Sequence, residues 1–256
     1  MEQKDSEVLS RYMTLPKFIS LFRSGDKPFI NVNFTRLSAL GDPLEGALPV
    51  DERIKSSFNS FEDYIRAAHA QGGAVNDLMK TQQLFESSFE FDIEEYRKEV
   101  RRVREETFVN CWFNLEEESL PMWNLYAGKT GVLVQLKKSI ITKKLTDKNQ
   151  NIEGHDVAYD KGHKRGEERF LFKDKFYKYE NEFRFVIKNI NHSSDHIIKS
   201  IDIDQSLNIK IYTHPECPEW IALQYEYLIK QFSLQDFVEL RDSELAYQNI
   251  IKKYII

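Results

Sequence analysis

Lys178-Tyr179-Glu180-Asn181-Glu182-Phe183-Arg184-Phe185-Val186-Ile187 is the stretch on which the fold reading turns. Aromatic and β-branched residues dominate after Glu182, and neither Gly nor Pro interrupts them, which is the composition of a β-strand. A period of two sets Phe183, Phe185 and Ile187 on one face and Glu182, Arg184 and Val186 on the other. Extended backwards, the same period brings Glu180 to the charged face. Two carboxylates and a guanidinium in a row are costly on a strand that buries a face, unless they meet water, a cleft or one another. The stretch therefore predicts either a solvated, ion-paired face or an active-site strand.

The chain around it has 256 residues, 41% hydrophobic and 13% aromatic. That suffices for one large domain, or for a domain carrying an inserted helical lobe. A net charge of −5 sets up no global field favouring nucleic acid. Cys111 and Cys217 stand far apart and make no disulfide framework. The opening MEQKDSEVLSRY lacks an apolar signal core and no run reaches membrane-spanning length, so a cytoplasmic protein without a membrane partner is expected.

Residues 1–10 are polar and read as frayed, with order beginning at Arg11-Tyr12-Met13. Thr14 and Pro16 open a short helix, and residues 29–34 alternate as a strand. A turn-rich loop holds Gly41-Asp42-Pro43-Leu44-Glu45-Gly46. Residues 50–107 read as a helical insertion, clearest over 92–106, where i,i+4 charge pairs mark a solvated face. Strands are expected over 108–113, 131–136, 157–159, 197–203, 207–212 and 237–240. Helices are expected around Trp123, after Pro218 and over 244–254. The sum is α+β: mixed, mostly antiparallel central sheets with a helical insertion and flanking helices, in a single domain spanning 1–256.

Most recognisable chemistries are missing. There is no phosphate-binding glycine motif of the P-loop or dinucleotide type. His192, Asp195 and His196, or His214 and Cys217, fall short of the four closed ligands of a structural zinc site, so no metal is expected. Cys111 sits in an apolar strand and reads as core. The lysines of 137–148, with Lys161, Lys164 and Arg165, are interrupted by acids and read as a surface. Glu180-Asn181-Glu182 remains. Two carboxylates can divide labour in cleaving an N-glycosidic bond, one stabilising an oxocarbenium-like sugar and the other preparing a nucleophile. Like charges so close would also raise one pKa.

Several motifs together resemble the bacterial "domain of unknown function 2971" family. They are Arg11-Tyr12, Leu40-Gly41-Asp42-Pro43-Leu44-Glu45-Gly46, Cys111-Trp112, Glu118-Ser119-Leu120-Pro121-Met122-Trp123-Asn124-Leu125-Tyr126-Ala127, Val157-Ala158-Tyr159, the Glu180–Arg184 strand and His214-Pro215. That family carries no assigned activity, and the resemblance implies a setting near mobile elements and phage defence, hence a toxin or defence effector with a partner protein. More distantly the chain resembles ADP-ribosyltransferase-like folds. That resemblance implies NAD as substrate and a protein or nucleic-acid acceptor. Arg11 or Tyr12 would meet the NAD phosphate or ribose, Glu182 would stabilise the oxocarbenium, and Glu180 would prepare the acceptor. Ser119 or Thr35 would supply a hydroxyl, and Trp123 and Tyr126 would stack on a ring. The site so drawn also includes Asp42 and Arg184. Two other readings stand beside it: a non-catalytic sensing component in which Asp42, Glu45, Glu180, Glu182 and Arg184 form a structural network, and a metal-dependent nuclease using Asp42, Glu180 and Glu182.

Overall fold

The computed structural model describes residues 7–23, 27–41, 97–149, 151–159, 169–247 and 249–251. The Asp42 loop, Glu45 and all of the expected insertion up to residue 96 lie outside them; residues 97–106 are helical. Among the described residues ten strands join one curled sheet, antiparallel except for one pair. They are β1 (Val8–Met13), β2 (Phe22–Arg23), β3 (Phe29–Arg36), β4 (Phe108–Phe113), β5 (Val132–Lys137), β6 (Ile152–Asp156), β7 (Glu182–Ile187), β8 (His196–Asp202), β9 (Ile209–Thr213) and β10 (Val238–Arg241). The α+β expectation holds at this level.

Strand β4 carries the topology. Its sequence, Phe-Val-Asn-Cys-Trp-Phe, is apolar on both faces, as a strand in the middle of a sheet requires. Along one edge β7 pairs with it from Phe108↔Ile187 to Phe113↔Glu182. The other edge is shared. β1 reaches it through Ser10↔Phe113, and β3 through Thr35↔Val109 and Arg36↔Phe108. Beyond those contacts the sheet parts into two wings, with β5, β9 and β10 continuing from β1 and β8 pairing along β3.

Alternation decides what each wing buries. Ile30, Val32 and Phe34 of β3, Phe183, Phe185 and Ile187 of β7, and Val132, Val134 and Leu136 of β5 enter the main core. Helices cover that side, the first of them, Leu15–Leu21, burying Phe18 and Leu21. In the helix Lys138–Lys148, Ile141 and Leu145 are buried one turn apart; in Glu219–Gln231, Ile221, Tyr225 and Ile229 are. Tyr225 meets Phe18 edge-on at 5.1 Å and donates its hydroxyl proton to the Thr130 carbonyl at 2.7 Å. A second cluster on the opposite side joins Tyr12, Phe113, Met122, Trp123 and Leu133.

Four expectations change. The chain is already in β1 at Val8, hydrogen-bonded between β5 and β4, so tertiary pairing orders part of a polar opening that reads as frayed. β6 forms from Ile-Glu-Gly-His-Asp, a sequence without strand propensity, because the free edge of β7 supplies its partners. Residues 157–159 make only a bridge, Ala158↔Phe172. The expected C-terminal helix begins later than residue 244, with a turn over 244–246 and helical residues at 249–251.

The segment that follows β4 turns through Leu120–Met122 into a π-helical turn, Trp123–Ala127, ended by Gly128 at φ 63°. Gly131 then passes so close to this turn that an added Cβ would strike the Ala127 and Met13 carbonyls, both backbone groups that cannot swing aside. Gly131→Ala is accordingly expected to cost about 2 kcal/mol by overpacking. Urea unfolding should show a lower midpoint at unchanged slope.

Candidate functional site

Where the two wings separate, a cleft of about 660 Å³ opens. Arg11 and Met13 of β1, Asn31, Asn33 and Thr35 of β3, Val109, Cys111 and Phe113 of β4, and Glu182 and Arg184 of β7 line it. On β3 the lining residues are the polar alternates of the core-facing Ile30, Val32 and Phe34. Tyr126, Lys173, Tyr177 and Glu180 come to the same cleft from outside the sheet.

Its charged part centres on Glu182, of which 2% is exposed. Arg184, two residues on along the strand and fully buried, donates from Nε to Glu182 Oε1 at 2.7 Å and from Nη2 to Oε2 at 3.2 Å. Its Nη1 donates to the Phe170 carbonyl at 2.5 Å. The Lys173 ammonium lies 3.1 Å from Glu182 Oε2 and donates to Glu180 Oε2 at 2.7 Å. Glu180 Oε1 accepts the Tyr126 hydroxyl proton at 2.5 Å. Every carboxylate oxygen of the pair therefore has a donor, as burial demands.

The geometry between the two glutamates differs from a continuous strand. Residues Lys175–Glu180 form a 3-10 helix, Asn181 is left-handed at φ 43°, and β7 begins only at Glu182. Lys173, rather than a two-residue period, brings the carboxylates together.

Burial alone would raise the Glu182 pKa. The charge and hydrogen bonds of Arg184, with help from Lys173 and the Cys111 thiol, outweigh it and hold the group at about 2. The sequence-based expectation that like charges raise one carboxylate is not met at Glu182. It stays ionised at neutral pH and serves as a fixed negative charge rather than as a proton donor. Burial, and then the hydrogen bond to Glu180, push the Tyr126 hydroxyl well above its ordinary range.

Arg11 contrasts with Arg184. Its guanidinium lies 5.6 Å from the Trp112 ring centre and, among the described residues, has no carboxylate partner. Burial pulls its pKa down from the usual guanidinium value. Asn33 Oδ1, also at the cleft, is buried without a hydrogen-bond partner among the described residues.

Of the residues singled out by sequence, the cleft brings together Arg11, Tyr12, Tyr126, Glu180, Glu182 and Arg184. Trp123 is elsewhere. It is fully buried, meets Tyr12 edge-on at 5.0 Å, and donates its indole proton to Glu118 Oε2 at 2.9 Å. It packs behind the cleft instead of stacking on a ligand. Ser119 is also away from the lining, and its backbone N–H donates to the Tyr12 hydroxyl at 2.7 Å, which commits that hydroxyl to the fold. Thr35, by contrast, does line the cleft. Asp42 lies outside the described residues.

Lys173, Tyr177, Asn31 and Asn33 also line the cleft, beyond the residues that the sequence motifs mark. The β3 pair was findable from the polar half of an alternating strand; nothing local marks Lys173 among many lysines. Cys111 is half-buried, packing against the apolar cluster of Val109, Phe170 and Val186, and it also lines the cleft. Among the described residues no three His, Cys, Asp or Glu side chains are grouped to hold a metal ion. His192 and Asp195 turn to other work, His192 Nδ1 accepting from the Ser194 backbone N–H and Asp195 accepting from Arg36 Nε at 2.9 Å.

The depressed Glu182 pKa sets a pH window. Its ordinary value is 4.5 and its folded value about 2, so its contribution is complete above about 4.5 and is lost as pH falls through about 2. The stability difference between the native chain and Glu182→Gln is expected to shrink by about 3 kcal/mol between pH 6 and pH 2. Urea titrations at several pH values measure it, and a difference that stays flat would show that Glu182 is not so held.

No protein-family model, curated protein or solved structure matches the chain, so the family resemblance rests on its motifs alone.

Proposed function

We propose that this cleft cleaves the N-glycosidic bond of NAD, as an ADP-ribosyltransferase or an NAD glycohydrolase. One observation carries the reading: an ionised Glu182 and an Arg11 guanidinium without a carboxylate partner among the described residues face the same cleft from different strands. A dinucleotide needs a cation for its pyrophosphate and an anion beside the ribose whose C1′ becomes positive. Arg11 meets the first need and Glu182 the second. Asn33 Oδ1 offers an acceptor to a ligand hydroxyl or amide, and the rings of Tyr126 and Tyr177 give aromatic surface. An antiparallel sheet parted beside its charged strand also supports the ADP-ribosyltransferase-like reading of the fold.

In the step proposed, the C1′–N bond breaks and nicotinamide leaves with the bonding electrons. Water, or a nucleophile of a protein or nucleic-acid acceptor, then bonds to C1′ and gives up its proton to solvent. Glu182 contributes through fixed charge, because a group ionised down to about pH 2 gives up no proton near neutrality. Glu180 lies on the Tyr126 and Lys173 side of the pair, where an acceptor would be oriented. Action as a toxin or an anti-phage effector extends this proposal along the family resemblance.

A second reading is favoured by a different observation. Arg184 and Lys173 already satisfy both oxygens of Glu182, as a structural polar network in a non-catalytic sensing component would. The nuclease reading is weaker, since both glutamates are bonded to cations of the protein and its third residue, Asp42, is outside the described region.

Incubation of the purified chain with NAD is expected to release nicotinamide. Glu182→Gln should lower kcat at least about 100-fold, the usual weight of a transition-state electrostatic partner. Arg11→Ala should act mainly on KM, by about tenfold or more, as loss of a charge-assisted contact does. No nicotinamide from the native chain, with candidate acceptors present, would sink the NAD reading in favour of the non-catalytic one.

A further inference from the structure

Among the described residues, two cations are bonded to Glu182, and they are held very differently. Arg184 is rigid: it belongs to β7, is fully buried, and is tied on its far side to the Phe170 carbonyl. Lys173 lies outside the sheet, in the stretch between the 3-10 turns Arg169–Leu171 and Lys175–Glu180. Its backbone is anchored, the N–H donating to the Ala158 carbonyl at 3.0 Å, while 13% of its side chain is exposed. A lysine on a fixed backbone swings its ammonium through four flexible methylenes, whereas a forked guanidinium held at both ends does not swing.

The Lys173 ammonium also sits in a setting suited to a cation. Two carboxylates hold it, at 2.7 Å and 3.1 Å, and the Tyr177 ring centre is 4.9 Å away. With Lys173 in place the two glutamates are balanced by two cations. Without it, among the described residues, Glu180 keeps Tyr126 and Glu182 keeps Arg184, and these four side chains carry one negative charge in excess.

We propose that Lys173 is the protein's own occupant of this corner: its ammonium holds Glu180 and Glu182 together in the free chain, and a cationic group of the ligand displaces it on binding. The inference rests on the cleft being the ligand site described above, and it adds that the ligand carries a delocalised or alkylated positive charge, such as a pyridinium. Lys173 is then a specificity-determining residue that lowers affinity for cations in the resting protein. Loss of the lysine strengthens binding of a cation, the opposite of what loss of a supporting ion pair would do.

The test compares N-methylnicotinamide, a pyridinium cation, with uncharged nicotinamide by calorimetric titration of the native chain, Lys173→Met and Lys173→Arg. Lys173→Met is expected to bind the cation about tenfold tighter than the native chain, the scale of one displaced charge-assisted hydrogen bond. Lys173→Arg should bind like the native chain, and nicotinamide should bind all three alike. Lys173→Gln, which keeps a donor for the carboxylates, replaces Lys173→Met if the latter does not fold. Cation binding that is unchanged, weaker or undetectable in the neutral variant overturns the proposal, as does an equal gain for both probes, which would report only added space. Nicotinamide release from NAD, read on the same samples, keeps the two ideas apart. If no variant releases any, the NAD reading fails, while the binding comparison still decides the role of Lys173.

Discussion

A single strand edge that two neighbours must share shapes this molecule. β7 takes one side of β4 throughout, and the other side serves β1 at one end and β3 at the other. Backbone groups between those contacts need partners from elsewhere, because buried peptide groups are rarely left unpaired. Asn110 supplies one. Its Nδ2 donates to the Asn33 carbonyl at 2.8 Å, and its Oδ1 accepts the Trp112 indole proton at 2.6 Å. Side chains thus substitute for ladder bonds at the parting, and Arg11 lies over the same Trp112 ring. The cleft follows from the topology, and the residues bordering it are those that the parting leaves facing outwards.

Charge at this place is hard to explain as a contribution to stability. The hydrophobic clusters on both sides of the sheet hold the fold together, and an apolar replacement of a buried ion pair is often no less stable. Glu180, Glu182, Arg184 and Lys173 nevertheless meet there with every carboxylate oxygen satisfied. Such an arrangement fits a site that must hold its carboxylates in a defined place without admitting water to them. The contrast between the paired Arg184 and Arg11, which has no carboxylate partner among the described residues, separates the residue that shapes the anion from the residue that faces the cleft.

Much of the frame was legible in the sequence because two-residue alternation was strong where both faces matter. β3 and β4 lie where periodicity puts them, β7 does so from Glu182 onward, and the helix expected after Pro218 forms as Glu219–Gln231 with Ile221, Tyr225 and Ile229 buried. β6 was illegible for a physical reason, since Gly154, His155 and Asp156 become a strand only through the edge that β7 offers. The site was half legible. Glu182, Glu180 and Arg184 advertise themselves as charges inside an apolar stretch, and Arg11 and Tyr126 join them. Trp123 misleads because a large aromatic suits a core as well as a ligand, and here Tyr12 and His214 surround it. Lys173 leaves no local trace, its place being set by backbone bonds on both sides of Ala158.

Asn181 has a consequence of another kind. It is left-handed, its amide nitrogen donates to the Asn114 carbonyl at 2.7 Å, and its own carbonyl accepts the Asn114 N–H at 2.8 Å. Few residues tolerate that backbone, asparagine and glycine foremost, and β-branched ones worst. The middle letter of Glu-Asn-Glu is therefore as informative as the outer two. A chain that spells Glu-Val-Glu in this place keeps both acids on paper while straining the left-handed joint that carries the first to Tyr126 and Lys173. A search for chains built like this one would do better to weigh the joint than the acids it joins.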